Sequence, residues 1–535
     1  MRQWLGAVPL LVLWLLPFAA GLAMVLGAAA DASAWQSLLA HPQLWPALGL
    51  SLWTGTAGGA AALICALIIV AGLYGSPWLN RLQLIGAAGI AVPHLAFAIG
   101  FGFLIMPSGW LARLLVGGIT PPQWVSVQDP FGLALAAALA LKEIPFFVVI
   151  ACGILGGDAE ARPFAAQWRV ARSLGHGAGS VWLRIIQPQL LRRMAWPIAI
   201  VWAYGCGTAD LALVLGPAQP PTLAVLIWHD LNDAASATNG RGMAGGVLLL
   251  TVLAALAVAA MAVARLGLRG FRWWMAQGPS AWPAPQAAGR LILLAVALIH
   301  VAALAILLLM AVSAQWPYPK PWPGTFTADA WRQIALEPQA LWLSLFLGLA
   351  VGLASLSLAV IWFETQPRHR DRWVTVAALL ALVLPQLVSA SGHYLLFLRS
   401  GLSGTLAGLF LAHLLPAAAY VLIVLAGPYR GLDPRYATVA RGLRAGAFKV
   451  WWRIKLPLLR GPLAAAAAIG FAVSLVQFVP AQLMAAGRWS SLPMEAVTLA
   501  SGGNRALTAA YALALAVPPL IGFALASRLG RRRWP

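Results

Sequence analysis

About twelve stretches of this chain are apolar over roughly 20 residues each, enough for a helix to cross the ~30 Å hydrocarbon layer of a bilayer. They lie near 5–28, 48–72, 82–106, 131–155, 195–217, 243–266, 290–313, 341–363, 374–398, 404–427, 461–486 and 506–527. In lipid every backbone amide must be bonded within the protein, so only helices and closed barrels span. Barrel strands alternate apolar and polar residues, whereas runs such as Val247 to Val263 are continuous. The expected fold class is all-α: a polytopic membrane protein with about 12 transmembrane helices.

A formal charge of +21 in 535 residues suggests nucleic acid as a partner until the placement of the charges is considered. With a cytoplasmic N-terminus, both termini and the connections on that side hold 27 of the 35 Lys and Arg residues. This is the positive-inside bias of a bacterial inner-membrane protein, with both termini cytoplasmic and no nucleic-acid partner. The apolar run from Trp4 to Ala30 exceeds the usual 7–15-residue core of a signal peptide, so a retained first span is expected. Cys65, Cys152 and Cys206 lie in apolar spans without the spacing of a metal or redox site, so no metal is expected.

The spans repeat. Leu44 to Ile69, with Ser51, resembles Ala340 to Ile361, with Ser344 in the equivalent place. Each is followed by a span with an internal proline, Ile90-Ala91-Val92-Pro93-His94 and Leu382-Val383-Leu384-Pro385-Gln386. Next come Lys142-Glu143-Ile144-Pro145 and His413-Leu414-Leu415-Pro416. Two parallel six-helix halves are therefore expected, 1–268 and 290–535, joined by a cytoplasmic linker at 269–289. That join holds Gly270, Gly278, Pro279, Pro283 and Pro285 with Trp273, Trp274 and Trp282, which suits an interfacial linker better than a helix.

Between the fourth and fifth spans of each half lies a long cytoplasmic stretch rich in arginine. In the first half it runs from Phe164 through Arg169, Ala171 and Leu174 to Gly175, then from Val181 to Pro188. In the second it runs from Tyr436 through Thr438, Ala440 and Leu443 to Arg444, then from Val450 to Pro457. Gly175 and Pro188 are 13 residues apart, as are Arg444 and Pro457. Phe164, Trp168, Ala171 and Leu174 recur at helical spacing, and Gly175 supplies the break.

These segments resemble the cytoplasmic signature of ABC importer permeases: Glu-Ala-Ala, a glycine a few residues on, and a closing Ile-x-Leu-Pro. The resemblance covers nearly the whole chain, and its duplication is similar to the fused permeases of ferric-iron and thiamine importers and of the YnjC type. It implies that 164–188 and 436–457 are coupling segments that sit in grooves of cytoplasmic ABC ATPase subunits, expected in two copies. Arg169 and Thr438 stand where the family has Glu, Gln187 replaces Leu, and Arg444 replaces the glycine. A competing reading is basic amphipathic helices lying on anionic membrane lipid.

None of the four lysines, Lys142, Lys320, Lys449 and Lys455, can complete a GxxxxGK[ST] phosphate-binding loop. The chain is therefore expected to be no enzyme and to bind no cofactor, with ATP and Mg²⁺ held by the partner. A charge in mid-membrane costs at least about 2.5–3.5 kcal/mol, so Lys142, Glu143 and His413 need an explanation. Either they form a satisfied polar cluster between helices, or the span starts later, or Glu143 and His413 line a translocation path. After the fifth spans the chain turns polar at Asp210 and at Gln477-Phe478, where the resemblance places substrate-facing residues. Gln477 is either path-lining or a plain interhelical hydrogen bond. The function expected is alternating access for a small solute delivered by a periplasmic binding protein. The alternative is an ion-coupled secondary transporter of the 6+6 type.

Overall fold

The computed structural model describes residues 2–76, 79–116, 118–156, 158–276 and 281–531, and it is helical almost throughout. Among these residues ten helices are long and apolar enough to cross a bilayer. A further pair, Arg368–Val383 and Gln386–Arg399, bends by 104° and makes an eleventh if taken as one span. The all-α polytopic fold is as expected, but the count falls short of twelve. The difference lies at 195–217, where the helix Ala195–Gly207 ends and a short turn leads into Asp210–Leu215. The apolar composition continues across that turn, but the helix does not.

Proline sets the breaks. Leu384, held extended before Pro385, ends Asp371–Val383, and Gln386–Arg399 begins on the far side. In the first half Pro93 stands between Leu79–Ala91 and His94–Ile105 in the same way.

The chain packs as two compact units that are not the sequence halves. One comprises Ala29–Ala328; the other comprises Met1–Ala28 with Asp329–Pro535. The first helix thus belongs with the second half, where the fully buried Trp14 donates its indole N–H to the Leu415 carbonyl at 2.7 Å. Conversely Gln286–Ala311 packs into the first half, where Gly289 lies against the backbone of Ile68. The join also differs from the linker expected at 269–289. The helix Ser236–Ala276 runs on through its first residues, and 277–280, with Gly278 and Pro279, lie outside the described residues.

Duplicated contacts tie each unit together. Ser51 in Leu44–Leu73 accepts the Leu223 amide at 2.9 Å, and Ser344 in Gln339–Thr365 accepts the Leu492 amide at 2.8 Å. In each case a buried hydroxyl satisfies the first amide of a short helix, Leu223–Leu231 or Leu492–Ala500, that follows the polar turn. A small hairpin, Ser313–Gln315 with Thr325–Phe326, closes one connection of the first unit. Arg113 holds its loop by donating to the carbonyls of Ser108, Trp316, Pro317 and Lys320.

Candidate functional site

The two segments singled out in the sequence have one geometry. The helix Asp158–Ser173 ends at Gly175, and Pro434–Gly442 ends at Arg444, the residue 269 positions on. Both cap residues are left-handed, with φ of 87° at Gly175 and 59° at Arg444. The capping bonds also match: His176 donates to the Ala171 carbonyl at 3.2 Å, and Ala445 to the Ala440 carbonyl at 3.0 Å. The turn, not the glycine, is what is repeated.

Beyond the cap, Trp182–Ile186 and Trp451–Lys455 are single π-helical turns. Each ends two residues before Pro188 or Pro457. A proline has no N–H for the carbonyl four residues back, and its ring crowds that carbonyl, so a widened turn relieves the conflict. Gln187 and Leu456 accordingly donate five residues back, to Trp182 and Trp451.

Of the apolar positions expected on one helical face, Phe164 and Ala171 are buried and Trp168 is partly buried, but Leu174 faces out. Ala440 is buried and Leu443 exposed in the same register. Val170 with Leu174, and Val439 with Leu443, form matched exposed apolar pairs one turn apart, flanked by exposed Arg169 and Thr438.

The intramembrane polar groups are mostly engaged by neighbours. Lys142, only 2% exposed, donates to the Gly89 carbonyl at 2.8 Å, at the carbonyl end of Leu79–Ala91 where a cation is favoured. Glu143 meets His94, the first residue of the next helix, at 2.8 Å, and His94 packs edge-on against Tyr204. The Lys142–Glu143 pair therefore straddles the proline break, with the cation on its carbonyl end and the carboxylate near its amide end. This favours a satisfied cluster between helices. Asp210 accepts from the Thr208 hydroxyl at 2.7 Å in the turn between two short helices.

His413 and Gln477 are brought together. The His413 ring nitrogen Nδ1 lies 3.1 Å from the Ser474 hydroxyl, and the Gln477 amide donates to the His413 carbonyl at 3.0 Å. Both side chains are buried, yet His413 Nε2 and Gln477 Oε1 have no hydrogen-bond partner among the described residues. No local pattern marks Ser474 or Tyr204 as neighbours, and His94 stands out only as the residue after the repeated proline.

The described chain is thus a membrane bundle in which a basic helix, cap and π-turn recur at a fixed offset. No protein-family model matches the chain. It is similar to the inner membrane ABC transporter permease protein YnjC of Escherichia coli K12, 29% identical over 497 residues that cover 93% of this chain and 90% of that one. It is also similar to the thiamine transport system permease protein ThiP of Salmonella typhimurium, 25% identical over 523 residues covering 91% of each. The molybdenum transport system permease protein ModB of Mycobacterium tuberculosis is 27% identical over 202 residues, 35% of this chain and 75% of that one. The chain is an ABC transporter permease with both halves on one polypeptide.

Proposed function

We propose that this chain is the membrane subunit of an ATP-driven importer in the bacterial inner membrane, working by alternating access on a small solute delivered by a periplasmic binding protein. The carrying observation is the duplicated coupling geometry, with Val170 and Leu174, and Val439 and Leu443, left exposed at matched positions. Exposed apolar pairs on short basic helices suit insertion into a partner groove. The segments 164–188 and 436–457, through Arg169, Ala171, Leu174, Gly175 and Pro188, and Thr438, Ala440, Leu443, Arg444 and Pro457, would each engage one of two ATPase subunits. ATP and Mg²⁺ would be held there and not on this chain. Both termini would be cytoplasmic, with the basic segments close to anionic lipid.

Of the intramembrane groups, His413 and Gln477 are the better candidates to touch solute, because each keeps a buried polar atom without a partner among the described residues. Glu143 and Asp210 are engaged by His94 and Thr208 and would shape the path by holding its helix breaks. The test is co-purification: the tagged chain brings down an ABC ATPase, and deleting 164–188 or 436–457 abolishes it. An ATPase that stays bound with both segments deleted overturns the assignment.

A further inference from the structure

The two coupling segments share backbone geometry but are held by different forces. At the end of the first half's second span, Ala71 is buried together with Ile186 of the first π-turn in one apolar cluster. The equivalent positions of the second half, 293 and 269 residues on, are Glu364 and Lys455. They form an ion pair at 2.6 Å whose side chains are 29% and 23% exposed. The same carboxylate oxygen of Glu364 accepts from the Tyr429 hydroxyl at 2.5 Å, and that hydroxyl in turn accepts from the Trp451 indole at 3.0 Å. One carboxylate thus ties both ends of the second π-turn to the second and fourth spans of its half.

The first segment shows no such carboxylate among the described residues, and its described contacts are packing. Trp182, the counterpart of Trp451, packs against Tyr74, which packs edge-on against Trp168. The join itself lies along this segment at Trp282, with the Gly179 amide donating to the Trp282 carbonyl at 2.8 Å. Arg184 is buried beneath the rings of Trp274 and Trp282, at 5.0 and 5.8 Å. A Cβ at Gly177 or Gly179 would run into this covering backbone. In the second half nothing described lies within 4 Å of a Cβ at Gly446, and Phe448, at the place of Gly179, is 77% exposed.

We propose that Glu364 is the positioning residue of the second coupling segment, and that the two ATPase-docking sites are therefore unequal: the first fixed by buried packing, Arg184 beneath its two indoles included, and by the covering chain, the second seated by a partly exposed ion pair. This rests on the coupling reading above. Buried contacts are little screened by salt, whereas a partly exposed ion pair is screened by it. The second segment is thus the one whose seat shifts when salt or a charged partner competes for Glu364 or Lys455.

Hydrogen–deuterium exchange on the full chain in lipid nanodiscs tests this, with amides 182–187 as the internal control for 451–456. Raising salt from about 0.05 to about 0.5 M, or substituting Glu364→Gln, is expected to speed exchange at 451–456 about two- to fivefold and to leave 182–187 unchanged. The charge swap Glu364→Lys with Lys455→Glu is expected to restore the slow exchange. Equal responses in both segments, no response in the second, or failure of the swap to restore protection would each overturn the proposal. The measurement needs no ATPase, so its failure leaves docking intact, and a failure of co-purification leaves this asymmetry intact.

Discussion

Arg444 holds a left-handed backbone that for a side-chain-bearing residue costs roughly 1–2 kcal/mol, a cost Gly175 escapes. Arg444→Gly is expected to raise stability by about 1 kcal/mol, read as a higher unfolding temperature in detergent. Gly175→Arg is expected to lower it by a similar amount. A glycine is the sequence sign of such a cap, and Arg444 carries no such sign, because a sequence shows which residues prefer a conformation and not which are held in it. The polar groups divide similarly. Lys142 and Glu143 were conspicuous as charges in an apolar run, yet their partners, the Gly89 carbonyl and His94, lie about 50 positions away and carry no local signal.

At the scale of elements, the spans were legible because 20-residue apolar runs leave few alternatives, and the repeat was legible because proline breaks and the two-part basic segments recur in order. The fifth span was not, since hydropathy weighs composition and is blind to the turns at Met194 and after Gly207 that bound the helix Ala195–Gly207. The duplicated serine contacts make a sharper test of the repeat. Ser51→Ala or Ser344→Ala leaves a buried amide at Leu223 or Leu492 without its acceptor, which costs about 1–3 kcal/mol. Each substitution is expected to lower the unfolding temperature, and the double variant to show additive loss if the two units report independently.

For the molecule as a whole, the repeat in sequence and the units in space disagree by one helix each. A chain cut within 281–285 yields two fragments, each carrying a helix that packs in the other's unit and lacking one of its own. Expressed together, the fragments are expected to co-purify as a stable pair. Expressed singly, each is expected to be degraded or aggregated, and a stable single fragment would contradict the exchanged packing. No hydropathy argument could have shown this, since apolar helices of equal length are interchangeable until their side chains are packed.

The exchange also sets a timetable for assembly. The helix carrying Trp14 is made some 300 residues before its partners, which begin at Asp329. At about 5–20 residues per second this helix waits roughly 15–60 s in the membrane before its own core exists. Until then its indole N–H is without the Leu415 carbonyl. The step that completes the second unit is therefore also the step that supplies the packing partners of the first helix.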